Sequence, residues 1–140
     1  LATAYLMDKQ NKNAAINYEK VLSYQPDNIA ALNNLAWMYG QENNPRALEL
    51  AEKAYSLQSE SPGIIDTYGW VLLKNNKTAE ALIMLKQAAD KLPEVAEVQY
   101  HYASALLRSG KEKEARQIIE KLLESAEPFD GHEAARYHCE

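Results

Sequence analysis

The chain contains one cysteine, Cys139, in 140 residues. An internal disulfide framework is thereby excluded. The compartment is not assigned by this, because a helical array needs no disulfides anywhere. Glycine and proline are sparse, five of each, which leaves room for long uninterrupted helices. Phenylalanine occurs once and valine is scarce, while alanine and leucine abound. That balance favours helix over strand. No apolar run approaches the roughly 20 residues of a membrane-spanning helix, so no direct membrane insertion by this segment is expected. No signal peptide is visible. Excess positive charge is also missing, since the formal charge is −5. A nucleic-acid partner would call for a basic face, and none is written here. The most lysine-rich stretch, 111–121, is interleaved with Glu112, Glu114 and Glu120, the pattern of a solvated helix face.

Catalytic signatures are absent as well. There is no phosphate-cradling glycine loop, no H-E-x-x-H and no G-x-S-x-G. Asp66 and Glu80 are acidic, but the sequence places no partner beside them for acid–base work. His132, His138 and Cys139 match no closed zinc spacing and lack a fourth ligand. A solvated terminal helix is the plainer reading of them. His101 reads as a helix-flank residue. We expect no enzyme activity, no cofactor and no metal.

What is present is a hydrophobic fraction of 46%, enough for a core, and a repeat. Ala14, Ala47, Ala81 and Ala115 recur at 33, 34 and 34 residues. Ala2, Ala36, Gly69 and Ala103 form a second small-residue column at 34, 33 and 34. Leu1, Leu35, Tyr68 and Tyr102 precede that column. Tyr5, Tyr39, Leu72 and Leu106 follow it by three. Tyr18, Ala51, Leu85 and Ile119 form another set, as do Val21, Ala54, Ala88 and Leu122. Pro26 and Pro93 close two copies, with Ser59 at the equivalent place. The second copy is one residue short, between Tyr39 and Ala47.

These columns resemble the tetratricopeptide pattern W-x2-L-G-x2-Y, A-x3-F, P over 34 residues. The resemblance covers nearly the whole chain. It implies an all-α fold, a right-handed superhelix of antiparallel helix pairs. Small residues would let paired helices approach closely, and stacking would bury what no single hairpin can. The array is expected over 1–126, with a partial repeat 1–27 and repeats 28–60, 61–94 and 95–126. Residues 127–140 are expected to form a capping helix or tail. Helices are expected near 1–9, 12–24, 28–41, 45–57, 62–75, 79–91, 95–109 and 112–126, with a shorter one over 130–139. Asn44-Pro45 and Ser61-Pro62 read as capped helix starts. Thr78 reads as the cap of the helix carrying Ala81, and Ser109-Gly110 as a helix end. The opening LATAYLMDK lacks an initiator methionine and reads as mid-helix sequence. We therefore expect further repeats upstream, and apolar surface for self-association at this cut end.

In the tetratricopeptide family the first helices line a concave groove. The resemblance implies that Trp37 and Trp70, each one residue after the small column, face it, with Thr3 and Ser104 in the outer copies. Asn33, Asp66 and Tyr100 lie on the same stripe, and so do Met7, Gln41, Lys74 and Arg108. The expected peptide-binding groove is therefore Asn33, Trp37, Asp66, Trp70, Lys74, Tyr100, Ser104 and Arg108. Aromatic residues and arginine are common interface anchors. Both indoles tucked sideways as packing between first helices is the open alternative, since tryptophan is usually mostly buried. A family-type lysine–asparagine clamp for a C-terminal carboxylate is not expected, because only Asn34 is compatible with it.

Three stretches, ALNNLAWMYG (31–40), DTYGWVLLK (66–74) and YHYASALLRSGKEKEARQIIEKLL (100–123), resemble the tetratricopeptide lipoproteins of PEP-CTERM/exosortase systems. That likeness implies a periplasmic outer-membrane lipoprotein of a Gram-negative bacterium, acting in exopolysaccharide or surface-protein assembly. The expected function is a non-catalytic scaffold for a protein or peptide ligand. A structural spacer, or the recruiting arm of a larger enzyme such as a glycosyltransferase, are the alternatives.

Overall fold

The computed structural model describes residues 2–124, with side chains from residue 12 onward. All secondary structure among them is helical: α1 (Ala2–Tyr24), α2 (Ile29–Gln41), α3 (Arg46–Leu57), α4 (Pro62–Lys74), α5 (Thr78–Lys91), α6 (Ala96–Arg108) and α7 (Glu112–Glu124). The expected tail 127–140 and its helix at 130–139 lie outside the described residues. So do His132, His138 and Cys139.

Each helix pairs with its neighbour in sequence, giving the hairpins α2/α3, α4/α5 and α6/α7. The three hairpin turns share one construction. Asn43, Asn76 and Gly110 hold φ of 58°, 62° and 80°. Only glycine adopts that left-handed backbone freely, and asparagine tolerates it best among the others. The following N–H then reaches back to close the helix end: Asn44 to Tyr39 O, Lys77 to Leu72 O and Lys111 to Leu106 O, at 2.9, 3.0 and 2.9 Å. This is a Schellman closure, which satisfies otherwise orphaned carbonyls.

The first copy departs from this plan. Two helices, 1–9 and 12–24, were expected there, but α1 runs unbroken over Ala2–Tyr24. The position equivalent to Asn43, Asn76 and Gly110 is Lys9. Lysine is a good helix former with no liking for the left-handed region, so nothing local stops the helix. Three caps also differ in detail, and the first is Ser61, which precedes Pro62 at the start of α4 without a side-chain capping bond. Asn44 does accept the Arg46 N–H at 2.9 Å, although the helix begins one residue past Pro45. Thr78 is the first residue of α5 rather than its cap, and Lys77 precedes it without a side-chain capping bond. Asn28 caps α2 by accepting the Ala31 N–H at 2.9 Å.

The small columns are core. Ala36, Ala47, Ala51, Ala54, Ala81, Ala88, Ala103 and Ala115 are buried, together with Leu32, Leu35, Leu72, Leu85 and Leu106. First helices of neighbouring repeats also touch, α2 with α4 and α4 with α6. The backbones of second helices α3, α5 and α7 make no such close approach to one another. The layer that stays in contact is the inside of the curve. The face of α2, α4 and α6 is therefore the concave one.

Three tyrosines pin the hairpins. Burial, then the Glu19 carboxylate that accepts the Tyr39 hydroxyl at 3.0 Å, raises the Tyr39 pKa above 10.0. Burial is also the main cause of the raised values at Tyr68 and Tyr102. In the unfolded chain these phenols ionise near their ordinary value of about 10. Each group thus contributes stability that is complete below pH 10 and lost as pH rises through its folded value. We expect these groups to give urea stability no pH dependence near neutrality and a fall above pH 10, in step with phenolate absorbance. Replacing Tyr39, Tyr68 and Tyr102 with phenylalanine should flatten that alkaline decline.

Candidate ligand-binding face

One aromatic cluster joins three first helices on the concave side. Trp37 comes from α2, Trp70 from α4, and Tyr100 with His101 from α6. The Trp37 and Trp70 ring centroids are 6.2 Å apart at 32°. His101 stacks on Trp70 at 4.3 Å and 30° and lies 5.5 Å from Trp37. Its Nδ1 sits 2.9 and 3.0 Å from the two carboxylate oxygens of Asp66. The carboxylate thus holds the imidazole plane against the indole.

The candidate residues divide by exposure. Trp37 and Asn33 are half-buried. Trp70 is 8% exposed, and Asp66 and Tyr100 are buried too. Sideways tucking therefore describes Trp70, while Trp37 keeps a face to solvent. Lys74 lies over the Trp70 ring, its ammonium 5.3 Å from the centroid, a cation–π contact. Arg108 donates to the Leu73 carbonyl at 2.8 Å and so closes the C-terminal end of α4. Ser104 donates to Tyr100 O at 3.0 Å, within its own helix. Asn34 donates to the Tyr18 hydroxyl at 3.3 Å, toward the preceding repeat.

His101 is the residue that sequence reasoning misplaced. Read as a helix flank, it is 3% exposed and central to the cluster. A usable signal existed. Asp66 and His101 stand three and two residues before the small column of adjacent repeats, so parallel first helices bring them side by side.

Two polar atoms of this face are buried without a partner, Trp70 Nε1 and Asn33 Oδ1. Such groups are rare in folded chains. Asn33 lies one turn before Trp37, and a helical side chain leans over the turn N-terminal to it. The Trp37 ring is 6.2 Å from that of Trp70 and stands on the same helix as Asn33, one turn further on. Among the described residues no group of three or more His, Cys, Asp or Glu is placed to hold a metal ion.

A profile of the tetratricopeptide repeat matches residues 72–136. The solved structure of a tetratricopeptide repeat protein from Parabacteroides merdae superposes with a TM-score of 0.75 at 19% identity, covering 96% of this chain and 53% of that one. The chain has the fold of a tetratricopeptide-repeat array. It is 32% identical over 93 residues to TPR repeat-containing protein PA4667 of Pseudomonas aeruginosa, spanning 64% of this chain and 16% of that relative. The array also superposes on the pilF protein of Pseudomonas aeruginosa with a TM-score of 0.69 at 27% identity, covering 86% and 56% of the two chains. MamA from Desulfovibrio magneticus gives a TM-score of 0.69 at 20% identity, covering 88% and 69%. Arrays of this fold are protein-interaction scaffolds, and no helix among the described residues is long and apolar enough to cross a membrane.

Proposed function

We propose that the concave face of α2, α4 and α6 binds an extended peptide segment of a partner protein, with Trp37 as the contact residue. The observation that carries this reading is a pair of unmet groups on the two helices that bear the tryptophans: a buried indole N–H on Trp70 and a buried amide oxygen on Asn33. Each costs about 1–3 kcal/mol where it stands. A peptide main chain offers both what the N–H lacks and what the oxygen lacks. Rotation of the half-buried Trp37 would open both to it.

Trp70 and His101 are the floor that fixes this geometry, and Trp37 is the part that moves. Trp37→Ala is therefore the clean variant, because replacing Trp70 would remove core. The test is photo-cross-linking in an envelope extract with benzoylphenylalanine at position 37 or at the outward-facing position 83. A partner captured at 37 and not at 83 supports the reading. Equal capture at both positions, or capture at 83 alone, removes it.

The setting we propose is the periplasmic side of a Gram-negative envelope, in exopolysaccharide or surface-protein assembly. The likeness of 31–40, 66–74 and 100–123 to lipoproteins of PEP-CTERM systems supports it. Fractionation of the native cell with an antibody to the array tests it, and a wholly cytoplasmic signal would remove it. Self-association is a second reading, favoured by Ile16 and Tyr24 on α1, which are 61% and 83% exposed. It predicts a sedimentation coefficient that rises with concentration and no longer does so in an Ile16→Lys/Tyr24→Lys variant.

A further inference from the structure

We infer that the bound segment is acidic and that one of its side-chain carboxylates seats against Lys74 at the turn edge of the groove. This rests on the peptide-binding reading above and goes beyond it in naming the ligand's charge and its subsite. A cavity of about 40 Å³ opens at that edge, lined by Gly40, Asn43, Asn44, Lys74 and Asn75. One water takes roughly 10–15 Å³ on the same measure. The space thus suits a carboxylate and is too small for a ring.

The lining is rich in donors. Lys74 pairs with no carboxylate among the described residues, and its ammonium faces the Trp70 ring. Asn44 spends its side-chain oxygen on the Arg46 N–H, which leaves its amide protons for another acceptor. Asn43, held left-handed at φ 58°, adds a second amide. Asn75 donates to the Val71 carbonyl at 2.8 Å. Its oxygen remains as an acceptor, suited to a main-chain N–H of the same ligand.

No acidic side chain lines the cavity, although the chain as a whole carries −5. The same edge carries the exposed Lys77, Arg108 and Lys111, with the exposed Glu42 on the turn between Gly40 and Asn43, so cations outnumber carboxylates there although the chain as a whole is acidic. Lys74 links the two halves of the site, touching the indole floor on one side and the cavity on the other. An apolar ligand residue on Trp37 followed by aspartate or glutamate toward Lys74 satisfies both. A basic segment satisfies neither the donors nor Lys74, and an uncharged polar one leaves the ammonium without a counter-charge.

The test is selection of a random octapeptide display library on the intact array. The leading peptide is then resynthesised with glutamine in place of its acidic residue and titrated by fluorescence anisotropy. We expect an acidic residue at fixed spacing from an apolar one, and a loss of roughly tenfold on the Glu→Gln change. On Lys74→Met, with Lys74→Gln as a second variant and circular dichroism as the folding check, that change should cost less than twofold. Enriched peptides without an acidic position, or a Glu→Gln penalty unchanged by both Lys74 variants, overturn the inference. If those peptides still require Trp37, the groove reading survives it. Enriched peptides that bind Trp37→Ala as well as the parent overturn the groove reading itself, and no enrichment at all overturns both.

Discussion

Gly69→Ala should lower the unfolding free energy by about 2 kcal/mol, measured by urea denaturation. The opposite sign would be expected from propensity alone, since alanine is about 1 kcal/mol better than glycine inside a helix. Packing decides against it. A Cβ at Gly69 would stand 2.7 Å from Leu85 Cγ, 2.8 Å from Leu85 Cδ2 and 3.2 Å from the Leu85 backbone nitrogen. Leu85 is fully buried and has nowhere to swing. Overpacking of this kind costs about 1–3 kcal/mol or more, and the backbone contact puts this site in the upper part of that range.

The comparison with the second repeat shows why glycine is needed here. There the column pair is Ala36 with Ala51, where a small partner leaves room for a methyl group. In the third repeat the partner has grown to Leu85 and the first helix has shrunk to glycine. Leu85→Ala alone should cost about 2–5 kcal/mol through the cavity it leaves. The double variant Gly69→Ala/Leu85→Ala should cost clearly less than the sum of the two, because the new methyl group occupies part of that cavity. Strict additivity would show that the two residues do not compete for the same space. Gly63→Ala is the control. Nothing lies within 4 Å of its added Cβ, so the helix should gain rather than lose.

The same size exchange explains what the sequence made legible. Columns at 33 and 34 residues placed α2 to α7 and the small surfaces between them, because a stacked hairpin has the same needs in each copy. The three turns were only partly readable. Gly110 announced itself, while Asn43 and Asn76 do the same work with a side chain. In the first copy Lys9 removes the left-handed residue, and the helix carries on through a place where periodicity asked for a turn. Periodicity reports packing between elements, whereas the stop depends on one residue's backbone preference.

The candidate face was legible as a stripe and not as a site. Its position on α2, α4 and α6 followed from the columns, but its depth did not. Whether Trp70 is exposed depends on what stands on the next helix, and that residue is His101. The column holding it reads Asn34, Thr67, His101, with no shared character to mark it. Asn34 and Thr67 find local or preceding-repeat partners at 3.3 and 3.1 Å. Only His101 meets a carboxylate across the repeat boundary.

That meeting carries the second large expected effect. His101→Leu should destabilise the array by about 3–5 kcal/mol, the cost of leaving one member of a buried pair uncompensated. The Asp66 carboxylate would lose the Nδ1 contacts at 2.9 and 3.0 Å, and Trp70 would lose the ring stacked on it. Asp66→Asn should cost less, since an amide oxygen can still accept from the same Nδ1–H. The double variant Asp66→Leu/His101→Leu should recover much of the single loss, because two apolar side chains leave no orphaned charge. Urea denaturation of the parent, Asp66→Leu, His101→Leu and the double variant closes the cycle. If the double variant is as damaged as the sum of its parts, the pair acts as two independent packing residues. If it recovers, the pair's contribution is specificity of position. The Asp66 carboxylate, together with the Trp70 indole, would then set the angle of α6 on α4 and with it the floor beneath Trp37. Peptide binding would in that case fall in the recovered double variant even though stability does not.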